Sequence, residues 1–129
     1  MLEKYKDTPA AICLGIYLLG AIFYVFQLLF MTEEWLANEL IGPEAIGVAR
    51  VLGFAYLGYI AGLIMTYKNG PDGHGIFFIS LLVAQIGTFL NLWHQHLIVG
   101  ITTTLDDAII VSVLTALLLV AYIRIRSRL

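Results

Sequence analysis

The side chains of this sequence that could do chemistry fall in a narrow set: Gln27, Arg50, Asn91, His94, Gln95, His96, Asp106 and Asp107. Arg50 sits among apolar residues, where a charge is costly and calls for a partner. Asp106 and Asp107 are the acids at a matching depth, and Gln27 and Asn91 could complete the guanidinium's donors. Two outcomes are open. Arg50 snorkels, laying its stem along lipid and its charge among headgroups. Alternatively it turns inward, and Gln27, Arg50, Asn91, His94, Asp106 and Asp107 form one cluster able to hold a lipid, a quinone or a small anion.

The run Trp93-His94-Gln95-His96 invites a metal, haem or pigment, with His94 or His96 as ligand. Residues two apart on a helix point roughly 200° apart, so both cannot serve one ion while the helix continues. His94 shares a face with Ser80, Gly87 and Asn91, which predicts an inward side chain; His96 shares one with Gln85, Phe89 and Leu92. The simpler alternative is a pair of interfacial histidines beside an aromatic-belt tryptophan. His74, in a turn, is expected in water. No nucleophile with its base, phosphate loop or HExxH helix is present. The single Cys13 excludes an internal disulfide or CxxC chemistry. No catalytic residue is assigned, and the cofactor stays open.

The elements that position these residues follow from composition. Of 129 residues, 60% are hydrophobic and 12% charged, whereas a soluble domain carries about 25% charge. A chain this size cannot hide that apolar surface from water, so lipid is its solvent. A net charge of −2 gives no basic field for nucleic acid. Helices are expected over about 10–31, 46–67, 76–97 and 105–123, each long enough to cross about 30 Å of hydrocarbon. The expected fold is all-α: a single up-and-down four-helix transmembrane bundle spanning residues 1–129. Lys4 and Lys6 before an apolar run resemble a signal peptide, but Thr32-Glu33-Glu34-Trp35 closes the run without a small-x-small site, so it reads as a retained helix.

Between helices one and two, Thr32–Ile41 reads as a short interfacial helix, with Trp35, Leu36, Leu40 and Ile41 toward lipid and Glu33, Glu34 and Glu39 toward water. Gly42-Pro43 ends it and Pro43 can open helix two. The breaker-rich turn Lys68–Gly75 predicts that helices two and three are antiparallel neighbours. Thr104 is placed to cap helix four, with Asp106 and Asp107 in the first turn. Of seven basic residues, all but Arg50 fall on one side of this arrangement. The positive-inside rule makes that side, with both termini, cytoplasmic in a bacterial or archaeal inner membrane.

Helix contacts in lipid favour small residues. Gly58 and Gly62 on helix two, and Ala84 and Gly87 on helix three, are the expected packing positions. The stretch Ala49-Arg50-Val51-Leu52-Gly53, leading into a small-residue helix, a short turn, a third helix and an acidic start to the fourth, resembles small bacterial four-helix membrane proteins of unassigned function, distantly DoxX-like in layout. The resemblance covers the architecture of most of the chain, with Arg50-x-x-Gly53 as its local match; Asn91 and His94 stand where such a pattern has a further arginine. It implies a fold and carries no agreed chemistry. The expected role is a non-catalytic accessory or structural subunit packing in the bilayer against other membrane proteins or itself. The alternatives are a binding protein or small transporter for a lipid, quinone or small anion, and a cofactor-ligating protein using His94 or His96.

Overall fold

Asp7 sets the start of the first helix. Its carboxylate accepts a hydrogen bond of 2.9 Å from the Ala10 N–H, and Pro9 occupies the first turn, where a missing N–H costs nothing. The computed structural model describes residues 2–129, and every regular element among them is helical. The α-helices are α1 (Thr8–Phe30), α2 (Thr32–Asn38), α3 (Ile46–Asn69), α4 (Gly75–His94) and α5 (Leu105–Ile125). With their flanking turns, four of these are long and apolar enough to cross a membrane: Thr8–Phe30, Pro43–Asn69, Gly75–Val99 and Thr102–Arg128. The chain is an integral, multi-pass membrane protein.

Helix ends match the expected chemistry with one exception. Thr104 does not cap α5; its hydroxyl donates back to the Ile101 carbonyl at 2.7 Å. Helix α4 runs on past His94 through one wider π-turn, Gln95–Val99, ended by Gly100 in the left-handed region. The short helix α2 exists, and Leu40 and Ile41 just beyond it are exposed as expected, but Trp35 and Leu36 are turned into the protein. Leu36 is buried with Leu28 and Ala49, and Trp35 packs beside Tyr24. Seven residues of helix cannot stand alone in water or lipid, so α2 is held by the ends of α1 and α3.

The lateral order of the spans is α3–α1–α5–α4. Helix α1 packs closely along both α3 and α5, and α4 packs along α5. Buried Leu14, Leu63, Phe78, Leu81 and Leu118 fill the space between them. Along α1, two glycines allow close approaches: a side chain at Gly20 would meet Leu114, and one at Gly53 would meet Leu29 and Leu28. Helices α3 and α4 follow one another through a tight turn as antiparallel neighbours, but their backbones stay apart. They touch through side chains, with the ring of Phe77 over Gly62, Tyr59 reaching the Ser80 carbonyl, and Tyr56 bonded to Thr88. Beyond Tyr56–Thr88, away from the turn, the two helices make no hydrogen bond or aromatic contact, which leaves a seam.

Of the expected packing positions, Gly62 faces a neighbour and Ala84 is half-buried, whereas Gly58 and Gly87 look into open space. The stripes were read from spacing, and spacing cannot tell which of two small-residue faces meets a helix.

At the opposite end of the bundle from Arg50, the N-terminus, the α3–α4 turn and the C-terminus are tied together. Arg128 makes a bidentate pair with Asp72, at 3.0 and 2.5 Å, and also donates to the carbonyls of Lys4 and Tyr5. Arg124 clasps Asp7 at 2.9 Å. These guanidinium hydrogen bonds hold Asp7 and Asp72 below the usual carboxylate range.

Gly53→Leu is expected to lower the stability of the detergent-solubilised bundle by roughly 1–3 kcal/mol through overpacking against Leu28 and Leu29. Gly58→Leu is expected to change it by less than about 0.5 kcal/mol. Thermal melts followed by circular dichroism make the comparison, and equal losses would contradict the assigned helix faces.

Candidate functional site

The polar groups deepest in the bundle form a ladder across three helices. The Tyr17 hydroxyl of α1 donates to the Gln85 Oε1 of α4 at 3.0 Å, and Gln85 Nε2 donates to the Thr115 Oγ1 of α5 at 3.0 Å. Thr115 then donates to the Val111 carbonyl at 2.7 Å. Gln85 is only 4% exposed. A buried amide in an apolar span must find such partners, because lipid supplies none. Sequence reasoning assigned Gln85 to a face and overlooked it as a centre. The available signal was a lone amide in the middle of an apolar helix.

Toward the end that carries Arg50, aromatic rings continue the column. Tyr24 meets Tyr56 edge-on at 5.5 Å and Trp35 at 6.1 Å. Tyr56 bonds Thr88 at 2.8 Å. Trp93 Nε1 donates to the Ser112 hydroxyl at 2.8 Å, and His96 stands against the Trp93 ring. Trp93 is therefore a helix fastener between α4 and α5 as well as a ring at the membrane boundary.

The six-residue cluster expected around Arg50 does not assemble as one site. Arg50 is exposed and has no ion pair or side-chain hydrogen bond among the described residues. Its pairing with Asp106 or Asp107 is not formed. On a helix at 3.6 residues per turn, Arg50 shares its face with Phe54 and Leu57, beside α1 and open to lipid. The inward face belongs to Ala49, Gly53, Tyr56 and Ile60, of which Tyr56 alone is not fully buried.

The other members separate in the same way. Asn91 and His94 are exposed, on the α3 edge of α4 along the seam, and neither makes a side-chain hydrogen bond among the described residues; the inward orientation expected for His94 is not adopted. Gln27 is half-buried and Asp106 is exposed. His96 Nδ1 lies 3.4 Å from the Ile101 carbonyl. Among the described residues no three His, Cys, Asp or Glu side chains converge as a metal group.

Asp107 does gain a partner, one not anticipated. The carboxyl of Glu39 is hydrogen-bonded to it, joining the end of α2 to the first turn of α5. A tight turn delivers Glu39 there. The Ile41 N–H bonds the Leu36 carbonyl and the Leu40 N–H bonds Ala37, while Leu40 takes a left-handed φ of 58°. That is a Schellman ending with leucine where glycine is usual. A hydrogen bond between two carboxyls needs a proton on one of them, and Glu39 is the one whose proton is held. Partial burial first, and then the Asp107 carboxyl, raise Glu39 from about 4.5 to about 7.

A raised carboxyl favours the closed, protonated contact at low pH. Between about 4.5 and 7 the released Glu39 binds fewer protons than the clasped one, so the contact weakens as pH rises through about 7. Spin labels at Asn38→Cys and Thr103→Cys, in a Cys13→Ser background, should give one narrow distance near pH 5 and a broadened distribution near pH 8.5. Glu39→Gln should keep the narrow distance at both. A wild-type distribution that ignores pH would contradict the shared proton.

The fold and these contacts define a small helical membrane protein with its polar groups largely closed on themselves. Compared with protein-family models, curated proteins and solved structures, the chain matches none.

Proposed function

We propose that the protein is a non-catalytic accessory subunit of a membrane assembly, docking a transmembrane helix of another protein along the α3–α4 seam, with its termini in the cytoplasm. The observation that carries this reading is Asn91. Its amide is exposed within the span Gly75–Val99 and has no hydrogen-bond partner among the described residues. An amide left in hydrocarbon is costly, and a hydrogen bond to a neighbouring helix relieves that cost.

The surroundings of Asn91 support the same reading. Gly87, one turn away, has nothing within 4 Å of the place a side chain would take. His94 continues the exposed edge, and Ala55 and Gly58 face outward on α3. Small residues let a second backbone approach, and a hydrogen-bonding side chain on the partner would meet Asn91. The orientation rests on the basic residues gathered at the end that carries the termini.

A photo-crosslinking amino acid placed at Gly87 or Asn91 in native membranes is expected to yield a discrete protein adduct. The same probe at Leu19, exposed on α1, is expected to yield only lipid adducts. An adduct with a second copy would make the assembly a homo-oligomer. Lipid-only labelling at all three positions would overturn the proposal.

A further inference from the structure

On the other side of α3, away from the seam, α1 and α3 leave a groove of about 640 Å³ open to lipid. Its walls include Ile22, Phe26, Phe54 and Leu57, and Arg50 closes one end. Beyond Arg50 lies a polar notch of about 200 Å³, bounded by the same guanidinium and by Glu33 and Glu34. Arg50 thus belongs to both spaces, with its stem on the apolar groove and its charge in the notch. Neither glutamate comes within ion-pair distance of it.

We infer that this groove and notch form a binding site for a phospholipid whose zwitterionic headgroup carries a phosphate and a primary ammonium. One acyl chain lies in the groove, the phosphate takes the Arg50 guanidinium, and the ammonium sits by Glu33 and Glu34. The charge pattern selects this chemistry. A purely anionic headgroup would be drawn by Arg50 but repelled by two carboxylates, whereas a headgroup with both signs satisfies all three. The guanidinium offers planar donors suited to phosphate. A primary ammonium offers three N–H donors to carboxylates, and a trimethylated one offers none.

The dimensions agree. From Ile22 to Phe30 the groove follows α1 for roughly 12 Å at 1.5 Å per residue, close to the roughly 15 Å of hydrocarbon in one leaflet. The site holds Arg50 at the headgroup boundary without any protein partner, which accounts for an unpaired arginine at the end of an apolar span. It lies on the face of α3 away from the seam, so it stands or falls independently of the accessory role.

The test is native mass spectrometry of the full chain, supplied with equal amounts of phosphatidylethanolamine, phosphatidylglycerol and phosphatidylcholine bearing identical acyl chains. Wild type is expected to retain one phosphatidylethanolamine in preference to either competitor by about three- to fivefold, the scale of an exposed ion pair. Arg50→Gln should lose retention of all three, and Arg50→Lys should keep most of it. The double change Glu33→Gln with Glu34→Gln should shift the preference to phosphatidylglycerol while retaining lipid. These side chains are exposed and make no hydrogen bond or ion pair among the described residues, and unchanged helix content by circular dichroism checks that the variants fold. Equal retention of the three lipids by wild type, or an unchanged ethanolamine-to-glycerol ratio in the double variant, would overturn the site.

Discussion

Hydrocarbon offers no hydrogen-bond partner, and that constraint shapes this chain at every level. It makes the spans helical, since only a helix closes its own backbone bonds. It then governs the side chains. Thr32, Ser80, Thr88, Ser112 and Thr115 each donate to a carbonyl one turn earlier. Tyr17, Gln85 and Thr115 close a ladder across α1, α4 and α5. Among the described residues no buried side-chain nitrogen or oxygen lacks a partner. Against that background, the exposed groups without a partner among the described residues include Asn91 and His94 on the seam and Arg50 at its groove.

Packing explains why those groups sit where they do. Helix α1 is the hub, lying against both α3 and α5, and Gly20 and Gly53 allow its close contacts. Once α1 occupies the space between α3 and α5, α4 has room only against α5. Helices α3 and α4 are then held by rings, with Phe77 over Gly62 and Tyr56 on Thr88. The clasp of Arg128 on Asp72 and the N-terminal carbonyls fixes one end of that pair, and the other end opens. At that open end the proton shared by Glu39 and Asp107 ties α2 to α5. The seam, the groove and the carboxyl clasp are consequences of a single lateral order.

The spans, their ends and the side on which the basic residues gather were legible in the sequence. Each depends on position along the chain, and position converts directly to depth at 1.5 Å per residue. Azimuth was not legible. In water a helix declares its buried face by polarity, but here Val51 and Phe54 toward lipid are as apolar as Ile60 and Leu63 toward the core. The direction of Arg50 therefore stays open in the sequence, Gly58 is given the role that Gly53 fills, and His94 is turned inward. Gln85 illustrates the reverse case: a polar residue in an apolar helix indicated the buried face without ambiguity, and it is the centre of the interior ladder. The Glu39–Asp107 contact was out of reach because it depends on a left-handed leucine at position 40, a conformation no sequence rule assigns to leucine.

The central claim is that polar groups paired within the chain hold the fold, while those left unpaired bind something outside it. Gln85→Leu and Asn91→Leu separate the two roles directly, measured as melting temperature in detergent alongside particle mass in native-lipid nanodiscs. The account predicts that Gln85→Leu lowers the melting temperature and that Asn91→Leu leaves it unchanged while reducing the particle to a single chain of 14.3 kDa. A melting temperature lowered equally by both changes, with the particle mass of Asn91→Leu unaltered, would contradict it.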